Sequence, residues 1–298
     1  MTSDDLLALL ACPDCGGRLR RLDDSLDCEG CARRFGVEGS VPVLLPARSL
    51  GTEWEEKQAL GASEYERSDE AQSELARRFA RFAAVEGRVL DVGCGIGVRP
   101  GYLDEAAGRS YVGVDPLLGT TQRDFEFVQG IAEQLPFRDA VFDGALSATM
   151  LDHVPEPARV LGEIRRVLRP QGRLALWVGV LDEDDLVAKT LSPLQVPARP
   201  SLRSALRRHG VRGASSRAFR HLLLNRVRAG LTTLRLRFGR PKLVAEVYPE
   251  RAKYHFWFFE AEQVLDLLRQ TGFRVLATER NGSPASGVSL FVLAERSA

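Results

Sequence analysis

The sequence predicts an α/β chain: a doubly wound parallel sheet over residues 86–298, preceded by a small metal ribbon over residues 1–48. Three observations predict it. The apolar run Arg88-Val-Leu-Asp-Val92 suits a buried parallel strand and ends in Gly93-Cys94-Gly95-Ile96-Gly97, a turn that lets a ligand approach the backbone. A second run, Ser110 to Val114, ends in Asp115, eighteen residues beyond Gly97. In doubly wound folds an acid at that strand end accepts hydrogen bonds from ribose hydroxyls. Finally, two Cys-x-x-Cys pairs, Cys12/Cys15 and Cys28/Cys31, stand twelve residues apart near the N-terminus.

Composition sets the scale. With 298 residues, 44% of them apolar and 27% charged, the chain can bury one sizeable core and one small module. Forty-one Lys and Arg against forty Asp and Glu leave a net charge of +1, with no global pull toward nucleic acid or acidic membranes. Asp4 and Asp5 stand where a secretory leader would be basic, and Leu6 to Leu10 is too short an apolar run for one. No apolar stretch approaches the roughly 18 residues of a membrane span. A soluble, cytoplasmic protein is therefore expected. Four of the five cysteines lie in the first 31 residues, which in a reducing compartment points to metal rather than disulfides.

In the ribbon, two knuckle turns would place Cys12, Cys15, Cys28 and Cys31 around one tetrahedral zinc, with Gly16 and Gly17 supplying positive φ and Gly30 inside the second turn. Four thiolates leave no open position, so the ion is read as structural and as the main source of folding free energy for so small a module. The runs Leu10-Ala-Cys-Pro-Asp-Cys-Gly-Gly-Arg-Leu19, Cys28 to Phe35 and Gly39 to Pro46 resemble the Trm112-like zinc proteins. Those are partners and stabilisers of methyltransferases, so the resemblance implies a supporting role. Pro42 and Pro46 are expected to end the ribbon, and residues 49–85 to form a linker and N-terminal helices.

The glycines after Val92 do not follow G-x-G-x-x-G, which disfavours a nicotinamide enzyme. The continuation Gly130-Ile-Ala-Glu-Gln-Leu-Pro-Phe137, Phe142-Asp143, Leu151-Asp-His-Val154 and Glu163-Ile-Arg-Arg-Val-Leu-Arg-Pro-Gln-Gly172 resembles the class I S-adenosylmethionine-dependent methyltransferases of the type 11 group. The likeness covers about residues 86 to 180, with a helix and two closing strands at 260 to 295 consistent with it. It implies that Asp91, Gly93 and Gly95 surround the methionine part of S-adenosylmethionine, that Asp115 meets the ribose, and that Ala132 and Glu133 lie near the adenine. Ile131 stands where many relatives carry an acid, and the short interval Pro116 to Asp124 reads as a loop or single turn. Cys94 reads as a small residue packed beneath the ligand.

The implied activity is methyl transfer to a biosynthetic small-molecule or glycan acceptor. The alternatives are a ribosomal RNA base methyltransferase, because some ribosomal RNA guanine methyltransferases also carry an N-terminal zinc ribbon, and a non-catalytic cofactor-binding scaffold. His153, after the fourth strand, is the candidate base or acceptor contact, against a plain cap on the next helix. Asp152 is a weaker candidate, Tyr65 could close over the cofactor or pack on the sheet edge, and Asp143 is expected to be structural. Residues 181–255 read as a basic helical insertion acting as an acceptor lid; Arg199 to Lys242 carries ten or more arginines and no acid. An anionic glycan or lipid intermediate, a membrane surface or an RNA backbone would each answer to it, as would a solvated face. Tyr254, His255 and Trp257 lie in an aromatic stretch that could line the acceptor pocket or simply pack before the next helix.

Overall fold

The computed structural model describes residues 2–47, 74–96, 102, 109–119, 123–181, 255–283 and 287–297. The chain divides into two units, and the features below belong to the first: Met1–Val180, Tyr254–Gly282 and Ser289–Ala298. Tyr65, Gly97, Tyr254 and, but for Leu181 and His255, the expected insertion lie outside the described residues.

The ribbon begins with α1 (Asp4–Leu9), whose first turn is capped by Ser3 Oγ accepting from the amide of Leu6 at 2.9 Å. Four antiparallel strands follow in sequential order: β1 (Leu19–Leu22), β2 (Ser25–Cys28), β3 (Arg34–Glu38) and β4 (Val41–Pro42). Their core is small, with Leu19, Leu26, Phe35 and Val41 buried. Pro42 is the last residue of β4, and the next residues continue onto the second sheet: Val43 pairs in parallel with Gln129, and the amide of Leu44 donates to Gln129 O at 2.8 Å. A proline is tolerated there because β4 is the edge strand of its own sheet.

The expected N-terminal helix is α2 (Glu74–Ala83). Its buried Phe79 lies at the centre of an aromatic cluster, 5.7 Å from the rings of Tyr102 and Trp177 and 5.2 Å from that of Phe291. The large sheet contains β5 (Arg88–Val92), β6 (Ser110–Asp115), β7 (Glu126–Gln129), β8 (Phe142–Ala148), β9 (Leu168–Val180), β10 (Phe273–Ser283) and β11 (Gly287–Arg296), in the order β10-β11-β9-β8-β5-β6-β7. The five strands from β9 to β7 are parallel. Successive strands run outward from β5 to β7, and the chain then returns to place β8 on the other side of β5. That reversal is the switch point at which doubly wound sheets bind ligands, at the carboxyl ends of the strands.

Two helices cover the sheet: α3 (Pro157–Val167) buries Val160, Leu161 and Ile164, and α4 (Ala261–Gln270) buries Val264 and Leu268. α4 starts at a capping box in which Glu260 and Gln263 satisfy each other's backbone amides. β9 begins at Leu168. Leu168 pairs with Phe142 and Arg173 with Gly144, so the Arg169–Gly172 stretch is absorbed as an irregularity with Gln171 at φ 65°.

Candidate functional site

The four ribbon cysteines converge as their spacing requires. Cys12 Sγ lies 3.7 Å from Cys31 Sγ, Cys15 Sγ lies 3.4 Å from Cys28 Sγ, and all four sulfurs fall within 4.8 Å of one another. Sulfurs about 2.3 Å from a tetrahedral zinc would stand about 3.8 Å apart, so this set fits the ion. The knuckles are shaped by backbone bonds, Gly16 N to Cys12 O at 2.8 Å and Ala32 N to Cys28 O at 3.0 Å. The expected roles of the glycines are partly corrected. Only Gly16 has a positive φ; Gly17 is needed for space, since a Cβ there would stand 3.0 Å from Cys28 Sγ and 3.1 Å from Cys15 Sγ. In the second knuckle the positive φ falls on Ala32, not Gly30.

At the carboxyl end of β5, Gly93 and Gly95 adopt φ of 75° and 79°. A Cβ at Gly93 would collide with Met150 Cγ, so the turn requires glycine for conformation and for space. The loop is tied to β6 twice. Gly93 N donates to Val114 O at 2.8 Å, and Gly95 N donates to Asp115 Oδ2 at 2.9 Å. Asp115 Oδ1 accepts from Leu117 N at 2.9 Å, so the predicted ribose acid also organises the loop around it.

Asp91 is completely buried, and Tyr102 donates its hydroxyl to it at 3.0 Å. Burial pushes Asp91 up to about 7, against the Tyr102 hydrogen bond and with the nearby Asp115 adding to the rise. Burial likewise pushes Asp115 up to about 6, opposed by the amides of Leu117 and Gly95. Two buried acids therefore flank the glycine loop. Tyr102 and Arg123 were not singled out from the sequence. Arg123 donates to Gly95 O at 3.3 Å and Leu118 O at 2.9 Å, with its guanidinium 3.6 Å from the centre of the Phe127 ring. Nothing in the local sequence pattern marks either residue. Cys94 is 1% exposed, packs with Val41 and Phe127, and has its thiol pushed up by burial, as a packing residue should.

Ala132 and Glu133 are 9% and 2% exposed in the loop after β7. That loop is held from α3. Glu163 accepts from Leu135 N at 2.9 Å, Arg159 donates to Glu133 O at 2.8 Å, and Arg166 donates to Leu135 O at 2.9 Å and Phe137 O at 2.7 Å while pairing with Glu163 and Asp139. Asp143 is structural: it accepts from Arg88 N at 2.9 Å and pairs with Arg169.

His153 ends a short 3-10 turn, Leu151–His153, after β8. It is not the cap of α3, whose N-cap is Glu156. The structure brings His255 beside it, with ring centres 4.4 Å apart, and His255 Nε2 lies 3.1 Å from Asp152 Oδ2. Trp257 turns its indole N–H to Pro155 O at 3.3 Å. A cleft of about 550 Å³, lined by residues including Thr2, Ser40, Arg109, Arg123 and Glu126, lies by the amino ends of β6 and β7.

Fold and site thus define a doubly wound ligand-binding α/β domain joined to a four-thiolate metal module. Residues 90–176 match the methyltransferase domain family and residues 3–40 the Trm112p-like protein family. A tRNA U34 carboxymethyltransferase of Methylococcus capsulatus is 30% identical over 222 residues, 65% of this chain and 64% of that protein. The O-methyltransferase rstn1 of Aspergillus nomiae is 33% identical over 138 residues, 41% of this chain and 61% of that protein. The chain thus spans less than two thirds of the length of these relatives. Among solved structures, a chain of the complex between the Haloferax volcanii Trm112 methyltransferase activator and a methyltransferase shares the fold, at 13% identity and a TM-score of 0.50, over 83% of this chain and 98% of that one.

Proposed function

We propose that the chain transfers a methyl group from S-adenosylmethionine to a small-molecule or glycan acceptor. The observation that carries this reading is the glycine loop at the switch point, closed on Asp115 and backed by the buried Asp91. Asp91, Gly93 and Gly95 would receive the methionine part of the cofactor, Asp115 the ribose, and Ala132 with Glu133 the adenine. Methyl transfer is an in-line displacement: the acceptor's lone pair attacks the methyl carbon, and the carbon–sulfur electron pair stays on sulfur. Much of the work is therefore alignment of the acceptor against the methyl group. On this reading His153, in the turn after β8, would meet the acceptor. The acid-free, arginine-rich sequence 199–242 favours an anionic one.

A second reading has one observation in its favour, the likeness to a tRNA U34 carboxymethyltransferase; on it, the acceptor is RNA. The Trm112-like ribbon would act in cis as a zinc-dependent support of the domain. Calorimetric titration of the zinc-loaded chain with S-adenosylmethionine, with Asp115→Ala as control, tests the cofactor assignment. Saturable binding weakened by the substitution is expected, and no binding by a folded sample would overturn it. An acceptor affinity falling steeply with salt would select the RNA reading.

A further inference from the structure

Asp152, His153 and His255 form a cluster that the cofactor site does not use. Asp152 and His153 come from the turn after β8. His255 comes from the segment before α4, which is fastened there by the amides of Phe256 and Trp257 donating to Asp152 O at 2.8 and 3.2 Å and by the pairing of Phe259 with Val180. The arrangement therefore does not depend on the histidines themselves. One ligand atom from each of the three residues lies within 4.8 Å of the others. Asp152 Oδ2 stands 3.1 Å from His255 Nε2, and Oδ1 stands 3.9 Å from His153 Nε2. Oδ1 is buried and makes no hydrogen bond among the described residues, although its carboxylate is one of few buried charged groups. A buried carboxylate oxygen without a donor is costly unless a cation satisfies it.

We propose that Asp152, His153 and His255 form a second divalent metal site, open where the four-thiolate site is closed. Ligands about 2.0–2.2 Å from a tetrahedral ion stand about 3.4 Å apart, so the observed separations need only side-chain adjustments of about 1 Å. Two imidazoles and one carboxylate suit zinc or another borderline transition metal better than calcium or magnesium, which favour all-oxygen shells. Three protein ligands leave at least one position free. The His153 and His255 side chains are 25% and 14% exposed, so that position is reachable from outside. Met150, which precedes the turn, lies over Gly93 of the glycine loop, so the site borders the cofactor crevice. The metal site stands on this geometry alone. Its consequence, that the open position takes an oxygen of the acceptor, rests on the methyl-transfer reading.

The test counts metal and needs no turnover. The full chain is stripped with chelator, reloaded with excess Zn²⁺, desalted and analysed for zinc by mass spectrometry. The wild type should hold about one zinc more than His255→Gln and than Asp152→Asn, with all three showing the same circular dichroism spectrum. Cobalt loading separates the two sites, because only the ribbon gives thiolate-to-cobalt charge-transfer absorption. That absorption should survive both substitutions, while the weaker absorption of a nitrogen–oxygen site is lost. Equal zinc content in wild type and both variants would overturn the proposal, whether or not the chain transfers methyl groups.

Discussion

Lowering the pH from 8 to 6 should weaken S-adenosylmethionine binding about tenfold, through Asp91. Its fully buried carboxyl is pushed up to about 7, and only its ionised form attracts a cationic cofactor. A group with that pKa is about nine-tenths ionised at pH 8 and about one-tenth at pH 6, which sets the factor. Asp115, at about 6, adds about a further twofold at the lower pH. Stability of the free protein moves the other way. In an unfolded chain these carboxyls titrate near ~3.9, so between about pH 4 and 7 the folded state holds protons that the unfolded state has lost. Free-protein stability therefore falls as pH rises through that window, as cofactor affinity rises. Calorimetry at pH 6, 7 and 8, in two buffers of different ionisation heat, reads both the affinity and the protons released on binding. Asp91→Asn should bind weakly and keep only the roughly twofold pH dependence that Asp115 supplies. A wild-type affinity constant within twofold from pH 6 to 8, with no proton release, would refute the reasoning.

Three further outcomes are expected. Arg166→Ala strips the donors from Leu135 O and Phe137 O and leaves Glu163 without its ion pair, though still bonded to Leu135 N, which should cost about 3 kcal/mol and lower the Tm by about 6–10 °C in a thermal melt; a Tm within 2 °C of wild type would show that water replaces the guanidinium. Gly93→Ala puts a side chain at positive φ against Met150, so it should lower stability by about 1–3 kcal/mol and abolish cofactor binding in the same calorimetric titration. Cys15→Ser should lose the ribbon zinc and speed hydrogen exchange at Leu44, whose amide bonds to Gln129, while β8 exchanges as before; unchanged exchange at Leu44 would mean that the ribbon docks without its metal.

What was legible in the sequence is what short stretches encode. The β5 strand and its glycine turn, the acid ending β6 and the cysteine spacing each arise from a few adjacent residues whose types dictate a local conformation. What was not legible depends on distant pairing. Leu168 joins Phe142 in the sheet, which overrides the turn signal of Arg169-Pro-Gln-Gly172. Tyr102 reaches Asp91 only because its ring is seated on Phe79 of α2. His255 meets Asp152 across a hundred residues of sequence, where its neighbours suggested only an aromatic lining. The ribbon's docking was invisible for another reason: part of it is made by backbone groups, Ala11 N to Pro136 O, Arg138 N to Leu9 O and Leu44 N to Gln129 O, which many side chains would allow.

That docking changes what the ribbon zinc does. Asp14, inside the first knuckle, accepts from Ala47 N at 2.8 Å and pairs with Arg33, which in turn donates to Leu45 O at 3.0 Å. The knuckles thereby fix the segment leaving β4, whose Leu44 is bonded to Gln129 at the end of β7. Gln129 donates its side-chain amide to Pro116 O at 2.8 Å, and Gly130 N donates to Asp115 O at 3.0 Å. Hydrogen bonds and short stretches of chain thus connect the first knuckle to the end of β6, which carries the acid that holds the glycine loop. The ribbon also covers β7, the strand that would otherwise end the large sheet with an open edge. In a module with so small a core, metal binding supplies folding free energy that the side chains do not. On the proposed reading the same free energy would help keep the edge of the large sheet closed and Asp115 in place, which would make the ribbon part of the cofactor site's support rather than an appendage to it.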